Sequence, residues 1–193
     1  MTVTGFRRWS DRLRRRDLAD TSGASAVEFA LITPIFLLIL VGTLDFGGVL
    51  FTEFGLNGAV SAAADFALVN AASVSGTGGA ALASQLVGIA ASAHATNWAS
   101  ATVVVNNGPS ATGNSTTVTA SGTATNADST YCPTISGTTI VWGAAVAAPP
   151  CGNGSVPGKF VTITATRTYR PIFGSYGIVK NNALSASTVV QVQ

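Results

Sequence analysis

Charge is what this sequence has least of. Only 9% of its 193 residues are Asp, Glu, Lys or Arg, where soluble domains carry about 25%. From Ala24 to Gly158 there is no Lys or Arg at all. Histidine is nearly absent too, with His94 alone, and the cysteines are two, Cys132 and Cys151. That inventory does not furnish the four ligands of a structural zinc site. No H-E-x-x-H, Walker loop, G-x-G-x-x-G or G-x-S-x-G elbow is present. Beyond the N-terminal arm the acids are Glu28, Asp45, Glu53, Asp65 and Asp128. Four of them lie along one expected helix, where they do not easily converge on a substrate, and Glu53 and Asp65 read as solvated surface charges. The expectation is a protein that is not an enzyme and needs no cofactor and no metal. His94 reads as a surface or capping residue.

What is present instead is a long apolar run. Phe29–Leu44, FALITPIFLLILVGTL, carries no charge, and extending it to Phe51 admits only Asp45. A helix over Phe29–Phe51 would be ~34 Å long, enough to cross ~30 Å of hydrocarbon. Pro34 lies inside it, costs a hydrogen bond and favours a kink, which spanning helices tolerate better than soluble ones. Six arginines (Arg7, Arg8, Arg12, Arg14, Arg15 and Arg16) come before the run. The positive-inside rule explains them more economically than a nucleic-acid-binding arm does. The run is longer than a secretory h-region and no A-x-A site follows it closely. The expectation is therefore a retained single span in the inner membrane. Its N-terminus is cytoplasmic, its C-terminal head lies outside, lipid is its first partner, and nucleic acid is not one.

Past the apolar run the helical pattern continues to about Ala72. Gly55, Ala59, Ala63, Ala67 and Ala71 recur every four residues, and Phe46, Leu50 and Phe54 form another row. Residues four apart share a face. A row of small residues admits a second helix from another chain or packs against its own domain, and the sequence leaves both open. Ser73–Gly79 has the composition of a flexible linker. Ala80–Ala95 reads as a second helix. The period then changes to two over 101–105, 116–125, 159–170 and 183–193. In the third of these, Val161, Ile163, Ala165, Arg167 and Tyr169 share one face, and Thr162, Thr164, Thr166 and Thr168 the other. Asn106–Pro109 reads as a turn, as does the stretch from Pro149 to Gly154.

The fold class that follows is α+β, with a long N-terminal helix, a short second helix and a small antiparallel sheet. The expected division is a basic leader over 1–23, a transmembrane and extended helix over 24–72, a linker over 73–79 and an extracytoplasmic head over 80–193. Cys132 and Cys151 lie in a Pro/Gly-rich part of that head. A disulfide between them suits an oxidising compartment; two unpaired thiols are the alternative.

One short stretch remains to be explained. In SGASAVEFALI, Ser22–Ile32, the carboxylate of Glu28 stands next to an apolar run, and a charge near hydrocarbon is costly. Gly23, ASAV, Glu28-Phe29 and an apolar helix with a proline together resemble the start of a type IV pilin-like precursor. More narrowly, GASAVEFALITPIFLLILVGTLDFGGVLF resembles the TadE-like family of the tight adherence (Tad/Flp) pilus system. The resemblance is close over Thr21–Ala72 and weaker over FVTITATRTYRPIFG and ALSASTVV at the C-terminus. It implies a minor pilin or pseudopilin, cut by a prepilin peptidase between Gly23 and Ala24. It also implies that Glu28 and Phe29 act in recognition and assembly, with other pilin-like subunits and the pilus machinery as partners. Glu28 would pair with a freed N-terminal ammonium; the plainer account is a carboxylate at headgroup level beside the helix N-terminus. The rival reading is a single-pass envelope-anchored adhesion module with a Thr/Ser-rich β head. Its aromatic residues (Trp98, Tyr131, Trp142, Phe160, Tyr169, Phe173 and Tyr176) are scattered rather than clustered, which disfavours a sugar platform.

Overall fold

A computed structural model describes residues 22–136, 139–147, 150–172 and 179–193. The basic leader with its six arginines lies outside the described residues up to residue 21, as do Pro149, Phe173 and Tyr176. The fold is α+β, as the change of period requires. Helix α1 runs over Ser22–Val69 with Pro34 inside it, and α2 over Gly79–Ala91. The strands are β1 (Ser100–Val105), β2 (Ser110–Gly113), β3 (Val118–Ser121), β4 (Thr134–Ser136), β5 (Thr139–Val141), β6 (Phe160–Thr168) and β7 (Ala183–Gln191). Two compact units divide the chain, the first ending at Asp45 and the second formed by Phe46–Gln193.

In the first unit the helix is apolar all round. Phe29, Leu31 and Ile35 are all well exposed, and no residue in the most apolar 18-residue window is buried. A helix with no polar face suits lipid rather than water. Its two threonines turn their hydroxyls back on the helix: Thr33 Oγ1 donates to the Phe29 carbonyl at 2.6 Å and Thr43 Oγ1 to the Ile39 carbonyl at 2.8 Å. The bonds satisfy groups that hydrocarbon would leave unpaired.

In the second unit α1 becomes amphipathic. Val49, Leu56, Val60, Ala63 and Ala67 are buried along one stripe, the spacing of a core-facing helix. They form one cluster with Leu82, Leu86 and Val87 of α2 and with Val103, Val105, Val161 and Ile163 of the sheet. Five strands in the order β3-β2-β1-β6-β7 make that sheet, every pairing antiparallel. Strand β6 alternates as its sequence demands, with Val161, Ile163 and Ala165 buried. The opposite face is hydroxyl-lined. The register places Thr119, Thr112, Thr102, Thr164 and Ser187 side by side across all five strands.

Three local expectations are revised by tertiary contacts. The stretch 116–125 reads as one strand, yet only Val118–Ser121 is extended, and its partner β2 is the unforeseen Ser110–Gly113. Ser, Ala, Thr and Gly give β2 little strand propensity, so pairing on both sides makes it a strand. The antiparallel β4–β5 pair, short and largely exposed, is likewise unforeseen. Helix α2 stops at Ala91 rather than Ala95, where the Ser92 hydroxyl and amide both donate to the Gly88 carbonyl.

The loop at Asn106–Pro109 is a turn built on a buried asparagine. Asn106 adopts φ +49°, a left-handed conformation that asparagine tolerates. Its Nδ2 donates to the carbonyls of Ala127 at 3.0 Å and Ser129 at 2.5 Å, and its Oδ1 accepts from the Phe160 amide at 3.2 Å. A buried amide so fully paired fastens three segments together. The stretch 73–79, linker-like in composition, is also held. Val74 is buried, its carbonyl accepts from Lys159 Nζ at 2.9 Å, and the Gly76 amide donates to Asp128 Oδ1 at 2.8 Å. Cys132 and Cys151 form a disulfide with a Cα–Cα distance of 5.8 Å. It closes the excursion between β3 and β6, and a loop of that length is worth ~3 kcal/mol in the chain-entropy model.

Candidate functional site

Gly23, Ala24, Glu28 and Phe29 all fall in the first turns of α1, and all are exposed. Ala24 and Glu28 are four residues apart, a rise of ~6 Å on one face. A Cβ added at Gly23 would meet nothing within 4 Å. The described structure therefore places no steric demand for glycine at this position. Nor does it need the exposed Glu28 carboxylate.

Further along α1 two glycines have a steric reason. A Cβ at Gly48 would run into the Tyr169 hydroxyl, and one at Gly55 would lie 2.7 Å from His94 Nε2 and 2.9 Å from the Trp98 ring. The row Gly55, Ala59, Ala63, Ala67 therefore packs within its own unit, with Ala59, Ala63 and Ala67 buried. That settles, for this chain by itself, the alternative the sequence leaves open. The second row stays outside: Phe46, Leu50 and Phe54 are exposed, and so is Phe51.

Around Gly55 a ladder of rings and one cation forms that sequence reasoning missed. The Phe51 and His94 ring centroids lie 5.9 Å apart, and those of His94 and Trp98 4.6 Å apart. The Arg167 guanidinium lies 4.5 Å from the centre of the Trp98 ring, a cation–π distance. A signal was available. Arg167 continues the covered face of β6 after Val161, Ile163 and Ala165, where a cation needs a partner. Nothing local could say that the partner is a tryptophan 69 residues earlier in the chain. His94, expected as a capping or surface residue, is exposed and forms the middle of this ladder.

Two concavities flank the ladder. One, of about 460 Å³, runs between α1 and α2 and is lined by Phe51, Phe54, Gly58, Ala62, Ile89 and Ala93, with His94 at its edge. The other, of about 290 Å³, is polar and lined by Asn97, Ser100, Thr166, Arg167 and Thr168 beside Trp98. Among the described residues no three His, Cys, Asp or Glu side chains are grouped so as to hold a metal ion.

With that geometry in place, comparison with known proteins gives one positive result. Residues 23–65 match the family model described as TadE, TadE-like protein. The matched segment starts at Gly23, takes in Glu28 and the apolar helix, and stops within the small-residue row. Neither the curated proteins nor the solved structures yield a match. TadE-like proteins form a structural and assembly family of Tad pili, and the TadE-like segment, with its apolar N-terminal helix, implies an association with such a pilus.

Proposed function

We propose that this chain is a minor pilin or pseudopilin of a Tad-type pilus machine. It is held in the inner membrane by α1 with its N-terminus in the cytoplasm, and a prepilin peptidase processes it between Gly23 and Ala24. Its work is packing rather than catalysis: α1 against pilin-like subunits in the bilayer, and the α+β head against pilus components outside. The observation that carries this reading is that the family match opens at Gly23, in a helix with no steric need for glycine there. After cleavage Ala24 bears a free ammonium one helical turn from Glu28. Pairing with that amine, in the same subunit or a neighbour, lowers the cost of a carboxylate at the lipid boundary. Cleavage also removes all six leader arginines. It leaves Lys159, Arg167, Arg170 and Lys180 against five acids, so no basic side chain remains on the cytoplasmic side and only the Ala24 ammonium is left there.

The test is to express the chain with and without its cognate peptidase and to determine the N-terminus by mass spectrometry. An N-terminus at Ala24 only in the presence of the peptidase is expected. An intact leader under both conditions defeats the processing claim. A second reading, an anchored adhesion module, draws on the hydroxyl row Thr119, Thr112, Thr102, Thr164 and Ser187. It expects pili to form normally in a deletion strain that has lost only attachment, whereas the first reading expects pili to be missing or few.

A further inference from the structure

The apolar groove and the polar cleft are neighbours: His94 lines the first, Trp98 the second, and their rings, tilted to one another, lie 4.6 Å apart. One side of the ladder offers Phe51, Phe54, Ile89 and small helix residues. The other offers a guanidinium with hydroxyls and an amide around it. Arg167 makes no ion pair among the described residues; its contact there is the Trp98 ring. A concavity that is apolar at one end and cationic at the other is complementary to an amphiphile with an anionic head. At about 460 Å³ the groove alone falls within the ~300–1,000 Å³ typical of small-molecule sites.

We propose that this double concavity binds one anionic glycerophospholipid, an acyl chain along the α1–α2 groove and the phosphate at Arg167. The proposal rests on the membrane reading above. Tryptophan suits a lipid headgroup because its ring is apolar and its edge polar. Arginine suits it because a long side chain reaches headgroup phosphate and donates in pairs. A second copy of α1 is a poorer occupant. Its Phe29–Leu44 stretch is uncharged, and Glu28 beside it is given to the Ala24 ammonium on the reading above.

The experiment uses the full chain purified in detergent and native mass spectrometry during titration with phosphatidylglycerol or phosphatidylcholine of identical acyl chains. One phosphatidylglycerol should be retained about fivefold more tightly than phosphatidylcholine, the worth of one arginine near an anionic surface. Arg167→Gln should erase that preference and Arg167→Lys should keep most of it. Gly58→Leu, at a position where an added Cβ meets nothing, should weaken both lipids equally by obstructing the groove. Circular dichroism confirms the fold of each variant; if Arg167→Gln does not fold, the Lys and Leu variants decide. Equal retention of the two lipids overturns the proposal, and so does a dimer that Gly58→Leu abolishes without any lipid bound. Carbonate extraction of membranes from expressing cells separates the two readings. A chain washed off overturns the membrane anchor itself, whereas an integrated chain without lipid preference overturns only the lipid site.

Discussion

The two parts of α1 are made of nearly the same residues and have opposite surroundings. Up to Asp45 the helix shows its leucines, isoleucines and phenylalanines on every side. From Phe46 onward one stripe is sealed in a protein core while Phe46, Leu50, Phe51 and Phe54 remain outside. Apolar composition alone does not distinguish a lipid-facing helix from a core helix. The distinguishing feature is size alternation: glycine and alanine recur every fourth residue where another element must approach, and large side chains occur all round where none does. Close approach also marks two glycines of the second part: a Cβ at Gly48 or Gly55 would collide, whereas Gly47 and Gly58, like Gly23 and Gly42, would accept one freely.

That contrast can be broken most forcefully in the core. Leu56→Ala should cost about 2–5 kcal/mol of stability, read as a lower thermal or urea midpoint of the full chain in detergent. Leu37→Ala should leave that midpoint where it was, and equal losses would show that the first part is packed like the second. Next in size is Leu38→Arg, expected to raise the cost of membrane insertion by ~2.5–3.5 kcal/mol on translocon scales while the second unit melts unchanged. Carbonate extraction and a melt of the purified variant report the two halves of that statement.

A smaller effect sharpens the contrast between glycines. Gly55→Ala places a methyl against His94 and Trp98 and should destabilise by about 1–3 kcal/mol. Gly42→Ala meets nothing and should be neutral or stabilising by up to about 1 kcal/mol. Paired melts decide, and a destabilising Gly42→Ala would reveal a partner for the first part that the chain alone does not supply. The smallest effect on stability is expected from Glu28→Ala, whose midpoint and membrane insertion should both match the parent. Piliation counted by electron microscopy should nonetheless fall, and undiminished piliation would remove the assembly role given to Glu28.

Much of this was legible in the residues because it is local. The start of α1, its lipid-like stretch and the two faces of β6 follow from charge, length and period, and the structure gives Val161, Ile163 and Ala165 the buried face. The resemblance carried by Gly23, Glu28 and Phe29 agrees with the family match over 23–65. Strand β2 was illegible because Ser110–Gly113 gains its extended form from neighbours on both sides. The 73–79 stretch could not announce its bonds to Asp128 and Lys159, which lie far along the chain.

By itself, then, the sequence determined which segments are helical, which strand faces are covered and where a span fits, since each depends on residues within a few positions of one another. Only the tertiary structure decided that the small row of α1 closes on its own unit and that Trp98 takes the Arg167 guanidinium. It also decided that two unlike concavities meet at the His94–Trp98 pair. These depend on close approach between distant segments, and such contacts are set by how side-chain volumes fit once the chain has folded back on itself.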